Sequence, residues 1–222
     1  VLMASASRYN TDKPLKAILK AGANVHARNE RGWTALMQAS ASGSPENVGV
    51  LLNAGAKINA RDASGWTALM AASASITPRE KITVLLDAGA DAKLRDQNGK
   101  TAFDYAQSNT KLAGTKVYWR LAVEAGVGIP ALISASATGT REDVLALLEA
   151  GADANARDET GKTALMAAAA SGTRENVIAL LKFGADAKLR DTNEKTAFEY
   201  AKDNDRLKGT DVYWRLNDER FD

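Results

Sequence analysis

The sequence predicts an all-helical solenoid of about seven helix–turn–helix units joined by short β-turn or hairpin fingers. Three observations carry that fold class. A block of ten residues, Arg28-Asn29-Glu30-Arg31-Gly32-Trp33-Thr34-Ala35-Leu36-Met37, returns as Arg61 to Met70 and again as Arg157 to Met166. Threonines 34, 67, 101, 163 and 196 are spaced 33, 34, 62 and 33 residues apart, and the 62 holds one extra unit whose equivalent position is Pro130. Apolar residues make up 45% of the 222 residues, with 43 Ala but only 6% aromatics, a balance that favours helices packed closely through small side chains. Self-similarity at a fixed period of roughly 20 to 50 residues marks architectures in which each unit buries its apolar face only against its neighbours.

Each unit divides into the same parts. The threonine hydroxyl caps a short first helix that begins Ala-Leu-Met or Ala-Phe and continues in small residues, as in Gln38 to Ser42. A second helix starts at Ser44-Pro45-Glu46, Thr77-Pro78-Arg79-Glu80, Thr140-Arg141-Glu142-Asp143 and Thr173-Arg174-Glu175, where a cap is followed by an acid in the first turn and in two cases by an early proline. The apolar sets Val48, Leu51, Leu52, then Val144, Leu147, Leu148, and Val177, Leu180, Leu181 follow helical spacing, so this helix buries one face. Gly55, Gly89, Gly151 and Gly184 end it at a left-handed cap. A short extended piece and Asp-x-x-Gly follow, the chemistry of a tight turn projecting from the helices as a finger.

These residues resemble the ankyrin repeat, a turn plus two antiparallel helices with a Thr-Pro-Leu-His start and a Gly-Ala-Asp-x-Asn segment after the second helix. Gly89-Ala90-Asp91, Gly151-Ala152-Asp153-Ala154-Asn155-Ala156 and Gly184-Ala185-Asp186 match that segment, and the likeness covers nearly the whole chain. Thr-Ala-Leu-Met replaces Thr-Pro-Leu-His, so the proline and the hydrogen-bonding histidine of the family are absent. The resemblance implies a curved solenoid with a concave face of fingers and first helices.

A longer duplication overlies the repeat. Ala90 to Asp96 and Val117-Tyr118-Trp119-Arg120-Leu121 reappear 95 residues later as Ala185 to Asp191 and Val212 to Leu216. Each copy closes on an atypical unit, beginning Thr101-Ala102-Phe103-Asp104-Tyr105 or Thr196-Ala197-Phe198-Glu199-Tyr200 and ending in a Tyr-Trp-Arg helix, as terminal caps do. The expected organisation is a first array of four units over residues 1–126 and a second of three over 127–222, stacked as one solenoid. Trp119 and Trp214 are expected to pack within their caps. Only Val127-Gly128-Ile129 lie between Gly126 and Pro130, too few for a finger.

The same residues exclude most chemistry. There is no cysteine and no apolar run near the roughly 18 residues of a membrane helix, so disulfide frameworks, thiol catalysis and a membrane span are out. Val1 to Lys20 lacks the parts of a signal peptide. His26 is the only histidine and sits where other units carry Asn59 and Asn155, which leaves a metal site or a His-assisted nucleophile without a second member. Gly126-Val127-Gly128-Ile129-Pro130-Ala131 fits a dinucleotide pattern but follows a helix, whereas that motif works after a strand. Gly99-Lys100-Thr101 and Gly161-Lys162-Thr163 mimic the end of a phosphate loop without its leading glycine. The acids at 199, 203 and 205, and at 218, 219 and 222, fall in terminal segments where solvated charge is expected. No catalytic residue, cofactor or metal is expected.

Net charge is only +2. Lys93, Arg95, Lys188 and Arg190 recur in the fingers, yet Asp91, Asp96, Asp186 and Asp191 accompany them, which argues against a phosphate-tracking groove and hence against nucleic acid. The expected function is binding of a protein or peptide by a monomeric scaffold. Its specificity is expected from Glu30, Arg31, Trp33, Ser64, Trp66, Gln97 and Lys100, and in the second array from Glu159, Lys162, Thr192 and Lys195. Trp33 and Trp66, one repeat apart, either form an interface patch or cover the neighbouring finger; the two readings weigh equally. The alternative is a self-associating structural or regulatory domain of a larger protein.

Overall fold

A computed structural model describes residues 1–8, 12–75 and 79–217. Among them are fourteen helices and no sheet; the one bridged pair of residues is Arg28 with Thr34, at the base of the first finger. The chain forms two compact units, Val1–Ala113 and Gly114–Asp222.

The first unit holds α1 (Leu2–Arg8), α2 (Lys13–Lys20), α3 (Ala35–Ser42), α4 (Pro45–Asn53), α5 (Ala68–Ala74), α6 (Glu80–Asp87) and α7 (Ala102–Gln107). The second holds α8 (Lys116–Glu124), α9 (Gly128–Thr138), α10 (Arg141–Glu149), α11 (Ala164–Ser171), α12 (Arg174–Lys182), α13 (Ala197–Ala201) and α14 (Asp211–Asn217). First helices stack on first helices, α1 on α3 on α5 on α7 and α9 on α11 on α13, and within each unit second helices pack on second helices, α2 on α4 on α6 and α8 on α10 on α12 on α14. The Tyr-Trp-Arg helix α8 packs on α9 and α10 and so belongs with the second unit.

The threonine caps form as the sequence expects. Thr34, Thr67 and Thr163 each accept from the amide three residues on, and so do Ser44, Thr140 and Thr173 at the second helices. Each such bond satisfies one helix-end donor and is worth about 1 kcal/mol. The Thr77-Pro78 start of α6 lies outside the described residues, as do Asp218, Glu219 and Asp222. Gly55 and Gly151, at φ +85° and +93°, close α4 and α10; the next amide reaches back to the carbonyls of Leu51 and Leu147, both at 2.9 to 3.0 Å.

The core is built from the aliphatic faces the periodicity marks, with Leu36, Leu51, Leu69 and Leu85 in the first unit and Leu147, Leu165 and Leu180 in the second at most 1% exposed. Small residues set the spacing. A Cβ on Gly43 would stand 2.3 Å from the Ala6 carbonyl oxygen, and one on Gly172 the same distance from that of Ser136, so neither position has room for alanine.

Polar ties cross each interface between neighbouring helix pairs. Asn47 donates its side-chain amide to the Ala6 carbonyl at 3.2 Å, and Asn109 donates to those of Ser73 and Ser75. In the second unit Asn176 donates to Ser136 and Gly139, and Asn204 to Ala169 and Gly172. Lys81 holds the equivalent place on α6, fully buried, with Nζ 3.3 Å from the Ala41 carbonyl oxygen. These donors satisfy the last carbonyls of the preceding first helix, which has no partner of its own for them. On α10 the corresponding residue is Asp143, which cannot donate; it accepts instead from the Trp119 indole N–H at 3.1 Å.

That bond explains where the expectation for the cap tryptophans divides. Trp119 is partly buried against the core of the second unit, whereas Trp214, in the duplicate helix, is 60% exposed. Among the described residues no helix pair follows α14 to supply the acceptor that α10 gives Trp119.

Candidate functional site

The fingers carry the candidate residues, and one carboxamide or carboxylate builds each finger. Oδ1 of Asn29 accepts from the amides of Arg31 and Trp33, and Oδ1 of Asp62 from those of Ser64 and Trp66. Asp96 repeats the pattern with Asn98 and Lys100, Asp158 with Thr160 and Lys162, and Asp191 with Asn193 and Lys195. A glycine at positive φ completes four of these turns; the fifth uses Glu194 at φ 60°. Two amides held by one oxygen leave the turn few alternatives, so the side chains it carries are positioned in advance.

Adjacent fingers are then tied together. Arg28 donates to its own turn at Gly32 and to the Arg61 carbonyl of the next finger at 2.7 Å; Arg61 does the same with Gly65 and Arg95. Backbone amides of Gln97 and Thr192 reach the carbonyls of Ser64 and Thr160, both at 3.0 Å. Asn59 and Asn155 accept from the amides of Asp91 and Asp186 in the next unit. His26 stands in the equivalent place of the first finger, beside a cavity of about 180 Å³ lined by Val25, Arg28, Thr34 and Lys57. Among the described residues no cluster of three His, Asp or Glu side chains could hold a metal.

Of the predicted contact residues, Glu30, Arg31, Ser64, Gln97 and Lys100 are exposed on the first three fingers, and Glu159, Thr192 and Lys195 on the last two. Gln97 also donates to the Ala63 carbonyl at 2.8 Å. Trp33, Trp66 and Lys162 are half-buried. The tryptophans pack as a ladder, ring centroids 6.3 Å apart and planes 24° from parallel, and Trp66 continues edge-on to Tyr105 at 4.9 Å. Their polar ends are satisfied: the Trp33 indole donates to Asp62 at 2.9 Å, and that of Trp66 to the Tyr105 hydroxyl at 3.1 Å. Both rings therefore cover neighbouring fingers while keeping part of their surface in solvent. The residues that sequence reasoning missed are Tyr105 and Tyr200. Their recurrence nine residues after Asp96 and Asp191 is the signal that could have found them.

Tyr105 and Tyr200 sit in matching sockets. Tyr105 donates its hydroxyl to Asp96 and Tyr200 donates to Asp191, the latter at 2.6 Å. Burial, then the hydrogen bond to Asp96, raises the pKa of Tyr105; for Tyr200 the bond to Asp191 leads and burial follows. Burial by itself would raise the Asp96 carboxyl, but the bonds it accepts from Tyr105 and the turn amides outweigh this and lower it. The bond from Tyr200 is the main cause lowering Asp191. Lys100 lies over the Tyr105 ring at 5.6 Å, and Lys162 and Lys195 lie over Tyr200 at 5.2 and 5.7 Å. A groove of about 820 Å³ also opens beside the last finger and α13–α14, its walls mixing Asp186 and Glu199 with Lys188, Arg190 and Arg215. Nothing in these arrangements pairs a nucleophile with a base; they present shape, aromatic edge and mixed charge.

Comparisons with known proteins agree with the architecture. A family model described as ankyrin repeats, three copies, matches residues 2–96 and 131–211. The unmatched stretch between spans α7, α8 and the place where a finger is missing. Among solved structures, the crystal structure of the ankyrin repeat domain of Bcl-3, described as a unique member of the IkappaB protein family, is similar at 27% sequence identity; the match covers 90% of this chain and 92% of that one, with a TM-score of 0.57. No curated protein sequence matches.

Proposed function

Because the chain belongs to the ankyrin repeat family, we propose that it is a non-catalytic module that binds a protein or peptide along its finger rows. The observation that carries the reading is the fixed turn: every finger is held by one side-chain oxygen accepting two amides, and exposed Glu30, Arg31, Ser64, Gln97 and Lys100 ride on three such turns in succession. A partner then loses little binding energy to ordering the site, which is how a rigid scaffold gains affinity. Trp33 and Trp66 supply apolar contact beside these polar groups, the mixture found at interface hot spots. In the second unit Glu159, Lys162, Thr192 and Lys195 offer a smaller face without tryptophan, and the first unit is the stronger binder. Each basic finger residue has an acid in its own finger, so the partner is a protein rather than a nucleic acid.

The test is capture with the purified chain as bait. Arg31→Ala combined with Lys100→Ala alters exposed side chains and leaves the turns intact; the captured protein should be lost, while Glu159→Ala should retain most of it. Equal recovery with all three baits would remove the finger row from the proposal. Screening for hydrolytic and nucleotide-dependent turnover addresses the non-catalytic part, which a robust activity abolished by one side-chain change would overturn.

A further inference from the structure

The exposed tryptophan of α14 has a half-buried twin, and the twin indicates what covers it. Helices α8 and α14 share the sequence Val-Tyr-Trp-Arg-Leu, at 117–121 and 212–216. In the first, the helix is covered by α9 and α10: Trp119 donates to Asp143, and Lys116 forms an ion pair with Glu149 at 2.7 Å. No finger mediates this joint, since α9 begins at Gly128, two residues past Gly126. The pair α9–α10 in turn has a counterpart in α1–α2. Leu132-Ile133 matches Leu2-Met3, Ser136 matches Ala6 as the carbonyl that the next asparagine reaches, and Leu147-Leu148-Glu149-Ala150-Gly151 matches Ile18-Leu19-Lys20-Ala21-Gly22. Where α8 lies over α10, Ala146 and Leu148 are 7% and 5% exposed; on α2 the matching Ala17 is exposed and Leu19 half-exposed.

We propose that α14 of one copy of this chain docks on α1–α2 of a second copy, reproducing between molecules the joint that α8 makes with α9–α10 within one. Charge distinguishes this from a generic sticky end. The position of Lys116 is Asp211 in α14, and that of Glu149 is Lys20 in α2, so both signs are reversed and the pair remains complementary. Asp211 already holds Arg174 at 2.8 Å, and Lys20 approaches the same carboxylate from the other side. Trp214 loses its 60% exposure against α2, near Pro14, which replaces Asp143. The contact is heterologous, α14 to α1–α2, so each copy carries both halves of the joint. It departs from the monomer that the sequence suggests, because there both Tyr-Trp-Arg helices read as shielding caps. It does not depend on the finger reading, and a bound finger partner leaves both ends accessible.

The experiment is sedimentation equilibrium of the intact chain over roughly 1 to 100 µM, the span in which a weak to moderate interface loads. The mean mass should rise with concentration above the 23.5 kDa of one chain. Trp214→Ser should abolish the rise. Lys20→Asp, which leaves the Asp211–Arg174 pair intact, should weaken association on the order of fivefold, Asp211→Lys should do likewise, and the two together should restore it. A mass fixed at one chain throughout, association indifferent to Trp214→Ser, or a double variant no better than the singles would each overturn the proposal. Finger-partner capture by Trp214→Ser, expected unchanged, keeps this result separate from that of the binding reading.

Discussion

The two tyrosine sockets are the same device set in two surroundings. Tyr105 with Asp96 and Tyr200 with Asp191 share their sequence offset and hydrogen bond, but Trp66 lies edge-on to the first ring where Lys162 lies over the second. The exchange alters what governs the phenol: burial leads for Tyr105, the carboxylate for Tyr200. A tryptophan adds desolvation and a donor, while a lysine adds a cation–π contact. One scaffold thus carries an aromatic patch on one unit and a cationic one on the other, without change to the turn that holds either.

The largest effects should come where both units share a constraint. Gly43→Ala and Gly172→Ala each force a methyl onto a carbonyl oxygen 2.3 Å away and should cost about 3 kcal/mol or more. Urea unfolding read by single-tryptophan variants, Trp66 for the first unit and Trp119 for the second, should show each substitution lowering the midpoint of its own unit. Equal shifts in both signals would mean that the two unfold as one body, and the comparison would have to be recast at the level of the chain.

Next come the sockets. Tyr105→Phe removes the acceptor of the Trp66 indole and a donor to Asp96 together, and should cost about 2 kcal/mol by the same denaturation. Tyr200→Phe removes a single bond and should cost less. An equal loss would show that Trp66 adds nothing beyond what Lys162 provides.

A smaller difference is written in pH. Burial lowers the Lys81 pKa from 10.5 to about 8, while Asn47 and Asn176 occupy the equivalent places without titrating. Between those values the unfolded chain keeps a proton that the folded chain sheds, so stability rises with pH and is lost again as pH falls through about 8. The first unit should gain on the order of 1 kcal/mol between pH 7.5 and 9.5. The second unit should stay flat, and Lys81→Met should abolish the slope. Above pH 10 the raised tyrosines reverse the trend, since their contribution is complete below the ordinary tyrosine value and is lost as pH climbs through the folded one.

The smallest effect concerns Ser40 and Ser73, whose hydroxyls are buried without a hydrogen-bond partner among the described residues, where α11 carries Ala169. Ser40→Ala should raise the thermal midpoint of the first unit slightly, by less than about 1 kcal/mol of stability.

The fold was legible because its signals are local. Thr34 caps an amide three residues away, Gly55 closes the helix it follows, and Asp62 builds its turn within four residues. What could not be read is set by contacts one repeat apart. Arg61 looks like a solvated finger cation until its guanidinium is found on the Arg95 carbonyl, and Trp33 looks like a free contact residue until its indole meets Asp62, 29 positions on. Val-Tyr-Trp-Arg-Leu reads identically at both its occurrences, so no local rule could separate the half-buried Trp119 from the open Trp214. Their difference lies in the helix pair that follows one of them and not, among the described residues, the other.

The asparagine and lysine ties between helix pairs run one way, from a side chain of the later pair back to the last carbonyls of the preceding first helix, whereas the Trp119–Asp143 bond runs forward. Such a polarity makes the modules interchangeable, because any pair that brings the donor can follow any pair that ends in bare carbonyls. Growth or loss of the array by whole modules then demands no compensating change elsewhere, and the two duplicated halves differ in length in that manner: among the described residues the first carries four helix pairs and the second three, with α5–α6 matching α11–α12 at the 95-residue offset.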